Sequence, residues 1–97
     1  MDTKKVVILV SVSPCEKEAW GILETILEDR IDLFCALGHD CRMWEDVMDE
    51  TIVEPGATKP INQIVTTSHP GESIEEVRQY AIGFYPKNRV EIKIVKV

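Results

Sequence analysis

The sequence predicts an α/β domain with a small parallel sheet, and three observations carry that prediction. Val6-Val7-Ile8-Leu9-Val10 is a near-continuous apolar run rich in β-branched residues, too short to cross a bilayer and suited to a strand buried on both faces. A helix start follows directly, with Ser13 able to cap, Pro14 suited to the first helical position and Glu16 completing a Ser-x-x-Glu capping box. Strand-like and helix-like segments then alternate to the last residue, in the order β-α-β-α-β-α-β. Strands separated by helices run parallel.

From Glu16 to about Arg30, Ala19, Trp20, Leu23, Ile26 and Leu27 recur at three- and four-residue steps, with Lys17, Glu24 and Glu28 opposite. This predicts an amphipathic first helix in which Trp20 is a core anchor. Leu33-Phe34-Cys35-Ala36-Leu37 reads as a second buried strand closed by Gly38. After His39-Asp40-Cys41, the residues Trp44, Val47, Met48 and Ile52 keep helical spacing, and Glu45, Asp46, Asp49 and Glu50 form an acidic opposite face. Trp44 is expected in the core, its indole N–H bonded to a partner. Two prolines and a glycine between Glu54 and Pro60 mark a loop. Ile61 to Thr67 reads as the third strand. Ser73 and Glu76 make a second capping box for a helix whose buried stripe is Ile74, Val77, Ala81 and Phe84. Tyr85 to Asn88 turns the chain, and Val90-Glu91-Ile92-Lys93-Ile94 alternates apolar and charged, as a half-exposed edge strand does.

With right-handed crossovers, the most apolar strand inside and the charged last strand at an edge, the expected architecture is a three-layer sandwich of the Rossmann-like or flavodoxin-like kind, strand order 2-1-3-4. That order sets the first helix on one face and the second and third on the other. Ligands of such sheets bind beyond the carboxyl ends of the strands, near the reversal of strand order. The expected site therefore involves Ser11 to Cys15, Gly38 to Cys41 and Thr66 to Glu72.

Ninety-seven residues make a single domain, 1–97, since two halves would each be too small to sustain a core. A hydrophobic content of 44% with 29% charged residues is that of a globular chain. The acidic balance, net charge −6, disfavours nucleic acid. No apolar run reaches the length of a membrane span, and the N-terminus leads into a strand instead of a signal peptide. Three cysteines without a Cys-x-x-Cys pair fit reduced thiols, hence a cytoplasmic location.

Several chemistries of this architecture fail against the loops. Ser11 to Cys15 contains no glycine for a dinucleotide pyrophosphate, no aspartates stand where a phosphoacceptor needs them, and no close cysteine pair supports thioredoxin-like exchange. Cys15, His39, Cys41 and His69 lack the local spacing that fixes a zinc site, so neither metal nor cofactor is expected. One catalytic pairing remains: Cys41, near a helix N-terminus that favours a thiolate, with His69 as its base. The competing account has Cys41 packed as a small hydrophobe and His69 bonded to backbone. Cysteine is among the most buried residue types, which favours that account.

Two segments, Gly38-His39-Asp40-Cys41-Arg42-Met43-Trp44-Glu45-Asp46-Val47-Met48-Asp49 and Val65-Thr66-Thr67-Ser68-His69-Pro70-Gly71-Glu72-Ser73-Ile74-Glu75-Glu76-Val77, resemble a small uncharacterised bacterial family. Its patterns are Gly-x-Asp-Cys-x-x-Trp-acid-Asp-x-x-Asp and Thr-Thr-x-His-x-x-Glu. The resemblance implies unknown function and singles out Asp40, Cys41, Trp44, Asp46, Asp49, Thr66, Thr67, His69 and Glu72.

The functional expectation is a binding or protein-interaction module, monomeric or homodimeric, that takes a protein or small-molecule ligand. Its binding residues are Asp40, Trp44, Asp46, Asp49, Thr66, Thr67 and Glu72. The alternative is a metal- or thiol-dependent enzyme using Cys41 and His69.

Overall fold

The computed structural model describes residues 3–12, 14, 19–52 and 64–97. Its elements are β1 (Thr3–Ser11), α1 (Ala19–Leu27), β2 (Leu33–Gly38), α2 (Cys41–Ile52), β3 (Val65–His69), α3 (Ile74–Phe84) and β4 (Arg89–Lys96). The four strands form one sheet in which every neighbouring pair is parallel. The expected element order is therefore present. The Ser13–Glu16 capping box, Cys15 and the start expected for the third strand at Ile61 lie outside the described residues. The second capping box is formed: the Glu76 N–H donates to Ser73 Oγ at 3.2 Å, and the Ser73 N–H donates to Glu76 Oε1 at 3.0 Å.

The strand order is β3-β2-β1-β4, which corrects the expected 2-1-3-4. The last strand does lie at an edge, but beside β1. Strand length supplies a physical reason. The eight residues of β4 find eight parallel partners along β1, from Thr3↔Arg89 to Val10↔Lys96, whereas β3 is only five residues long. Pairing β4 with β3 would leave several of its backbone groups without ladder partners. The other edge is β3, and β2, buried from Leu33 through Leu37, takes the interior place.

This order moves a helix from one face to the other. From β1 to β2 to β3 the chain steps in one direction, so two right-handed crossovers put α1 and α2 on the same side. The return from β3 to β4 runs back across β2 and β1, and the same handedness puts α3 on the opposite side. Packing agrees. Val7, Leu9, Phe34 and Ala36 join α1 and α2 in one cluster around Leu23, Trp44 and Met48. Val6, Ile8, Leu33, Cys35 and Leu37 meet Val77 and Ala81 of α3 in the other. The expected companionship of the second and third helices is therefore corrected. Trp20 also departs from expectation: it is 37% exposed, while Ala19, Leu23 and Ile26 carry the buried stripe of α1. No helix among the described residues is long and apolar enough to cross a membrane.

Gly38 closes β2 with φ +93°, opposite Ser11 at the end of β1. The His39 N–H donates to the Ser11 carbonyl at 2.8 Å, and a Cβ on Gly38 would lie 2.2 Å from that same oxygen. Gly71, also at positive φ (77°), has nothing within 4 Å of its Cβ position. Gly71→Ala should therefore cost only the left-handed backbone penalty of roughly 1–2 kcal/mol. Gly38→Ala should cost that penalty plus the overlap, a total above about 2 kcal/mol, in urea unfolding. Equal losses in the two variants would contradict the close approach of Gly38 to Ser11.

Candidate functional site

His69 ends β3 and is 4% exposed. Its register partner is Leu37, which packs with α3, so the imidazole is on the α3 face. The chain then turns through Pro70-Gly71, and the Glu72 N–H donates back to the His69 carbonyl at 3.3 Å. That turn brings the Glu72 carboxylate to His69, Oε2 lying 3.0 Å from Nδ1. On the other side of the ring, Nε2 lies 2.8 Å from Thr67 Oγ1, two residues earlier on the same strand face. Tyr80 of α3 packs against the imidazole in a T-shaped contact with ring centroids 4.7 Å apart.

One hydroxyl proton links these groups in two ways. When Thr67 donates to Nε2, a neutral His69 carries its proton on Nδ1 and donates it to Glu72. When Thr67 donates to the Phe34 carbonyl, 3.3 Å away, Oγ1 can accept from an Nε2–H. The cluster can hold a proton or pass one between an oxygen and a carboxylate. Among the described residues, no group of three or more His, Cys, Asp or Glu is placed to hold a metal ion.

Cys35 lies beneath this cluster, fully buried. Burial pushes its thiol up from the ordinary 9.0 to about 11; the Thr67 hydrogen bond opposes that rise and the Glu72 charge adds to it. Such a thiol is inert at neutral pH. Tyr80 is raised too, by burial first and then by Cys35 and Glu72.

The other expected residues belong to the opposite face or to the carboxyl end of β2. Cys41, 4% exposed, packs in the cluster of Trp44 and Met48 with α1, so the structure does not bring its thiol to the His69 imidazole. Trp44 is buried and its Nε1–H donates to Ser11 Oγ at 3.0 Å. Asp49, exposed on α2, accepts from the Thr66 hydroxyl and ties α2 to the edge strand. Asp40, at φ 56°, and Asp46 line an open depression of about 470 Å³ with Gly38, Cys41, Arg42, Met43 and Pro70. Exposed His39 adds Nε2 3.7 Å from Asp40 Oδ2.

Thr67, His69 and Glu72 are therefore one hydrogen-bonded unit and Thr66 and Asp49 a second, whereas Asp40 and Asp46 share only the lining of the depression. Sequence reasoning passed over Tyr80 and the lining residues Arg42 and Met43, and it named Ser11 as part of a strand-end loop without its bond to Trp44. Only Tyr80 had a usable signal, its helical spacing to Val77 and Phe84.

A parallel α/β domain whose polar clusters gather at the carboxyl ends of two neighbouring strands is the class that these observations define. The chain belongs to the family named Domain of unknown function (DUF7684), whose match spans residues 1–97. No curated protein sequence matches the chain, and no solved structure does.

The raised Cys35 pKa fixes the sign of an alkaline stability change. Between pH 9 and 11 the unfolded chain releases a thiol proton that the folded chain keeps, so stability is full below pH 9 and falls as pH rises. At about 1.4 kcal/mol per pKa unit the loss by pH 11 is of order 2–3 kcal/mol, to which Tyr80 and Tyr85 add in the same direction. Urea midpoints should fall over this window in the native chain and fall distinctly less in Cys35→Ala. Equal declines would contradict the buried thiol.

Proposed function

We propose that this protein is a small binding module that takes a positively charged partner at the carboxyl end of β2, in the depression beside α2. The carrying observation is the composition of that depression: Asp40 and Asp46 flank it, and half-exposed Met43 supplies an apolar surface. Beyond it α2 continues its acidic side through Asp49 and Glu50. Arg42 adds one cation, which suits a ligand carrying a carboxylate or carbonyl next to its basic group. The strand order and the helix clusters on opposite sheet faces support reading the architecture as a three-layer, Rossmann-like sandwich. The buried, unpaired Cys35 and Cys41 thiols suit a reducing, cytoplasmic setting, and the motif resemblance suits a bacterial source.

The hydroxyl–imidazole–carboxylate chain of Thr67, His69 and Glu72 favours a second reading, acid–base or nucleophilic catalysis at Thr67. Two features rank it below binding. Both ring nitrogens are engaged within the protein, and the imidazole is almost fully enclosed. Chemistry pairing Cys41 with His69 has no support, because the two face different helices.

An oligoarginine peptide titrated into isotope-labelled protein tests the first reading. Amide shifts should concentrate on Gly38 to Asp46, and Asp40→Asn with Asp46→Asn should weaken binding on the order of tenfold. Shifts spread equally over Glu24, Glu28 and Glu75 would indicate unspecific attraction and overturn it. A fluorophosphonate probe tests the second: intact mass should stay unchanged, and a stoichiometric adduct at Thr67 that His69→Gln abolishes would replace binding with catalysis.

A further inference from the structure

Among the described residues, the two edge strands of the sheet, β4 and β3, differ in chemistry and match each other. On β4, Arg89, Lys93 and Lys96 stand against a single carboxylate, Glu91. Beside β3 stand Asp49, bonded to Thr66, and Glu72, bonded to His69. Strand register relates the two edges residue by residue. One row across the sheet runs Lys93, Val7, Phe34, Thr66, and another runs Lys96, Val10, Leu37, His69. Thr66 and His69 are three residues apart and face opposite sides of the sheet, as are Lys93 and Lys96. Each lysine thus shares a row and a face with the residue that holds one carboxylate.

We infer that this surface docks a second copy of the chain, β4 of one molecule adding in parallel beside β3 of the next. Lys93 then reaches Asp49 on the α2 side and Lys96 reaches Glu72 on the α3 side. The apolar positions agree with this register. Ile92 comes beside Val65, and Ile94, 39% exposed, comes beside Thr67. On this face Val65 and Ile94 remain 38% and 39% exposed among the described residues, while Ile92 is partly covered by the α3 cluster. The present partner of Lys93, Asp29 at 3.4 Å, forms a solvent-exposed pair, weak because water screens it, and is readily exchanged.

Charge also excludes the symmetric alternatives. Two β4 edges together would oppose lysine-rich strands, and two β3 edges would oppose carboxylates, whereas lysines on an edge strand otherwise deter pairing. The contact is heterologous, so it does not close at two copies. The strand-to-strand twist turns each added copy by roughly 90°, which gives an open helical series. One strand's width of contact is small against the ~1,600 Å² of a standard interface, so the association is weak and concentration-dependent.

Sedimentation from micromolar to near-millimolar concentration tests this. The average mass should rise without a plateau at the dimer and fall when salt is added. Lys93→Glu with Lys96→Glu should weaken association on the order of tenfold or more. The variant keeps its acidic β3 edge, so adding it to native protein should cap growing chains and lower their mass. Asp49→Lys with Glu72→Lys should be monomeric alone and should associate with the lysine-reversed variant. Monomer at every concentration, a plateau at the dimer, or native chains that the lysine-reversed variant leaves unshortened would overturn the proposal. None of these outcomes depends on oligoarginine binding at the depression.

Discussion

The handedness of the crossovers, acting on a sheet whose strand order reverses once, is the constraint from which the rest of this structure follows. The chain leaves β1, moves outward twice on one face and returns on the other to pair with β1 again. That return gives β1 hydrogen-bonded neighbours on both sides and covers both of its faces. It also divides the polar residues between two environments. Residues entering α2 belong to one face, and those that link β3 to α3 belong to the other.

The division explains why the chemistry of the two faces differs. On the α2 side, Cys41 and Trp44 are consumed by packing, and a buried polar bond, Trp44 to Ser11, satisfies an indole that would otherwise be stranded. On the α3 side, a buried imidazole is tolerated because hydroxyl and carboxylate partners engage both of its nitrogens. Glu72 reaches His69 because Gly71 accepts a positive φ, after which Ser73 and Glu76 start α3 at once. A tight turn, a capped helix and a satisfied histidine are consecutive consequences of Pro70 through Glu76.

Much of the fold was legible because local signals agreed. The apolar run of β1, the alternation of β4, the Ser73–Glu76 box and the role of Trp44 each follow from periodicity or capping chemistry. Strand order was misread, against a signal easily underweighted. Leu33 to Leu37 is as continuously apolar as β1, whereas Val65-Thr66-Thr67-Ser68-His69 is mostly polar, so β2 belonged inside and β3 at the edge. The relation of Cys41 to His69 was not legible, for a physical reason. Both residues fall just beyond strand ends, but which face each meets depends on crossover direction, which neither loop encodes. Trp20 occupied a position fit for the apolar stripe, yet smaller neighbours on α1 fill that side of the core. The Thr67–His69–Glu72 chain depends on a two-residue strand spacing plus a turn, and only its members could be named beforehand.

The pairing of β4 with β1 is the central claim, since it decides both the face of α3 and the position of the two sheet edges. Nuclear Overhauser contacts in a dilute, isotope-labelled sample test it directly. The account predicts contacts between Ile8 and Ile94 and between Val6 and Ile92, with none between Ile8 and Thr67. Contacts from Ile8 to Thr67, with Ile94 distant from β1, would restore the order 2-1-3-4 and contradict the architecture described.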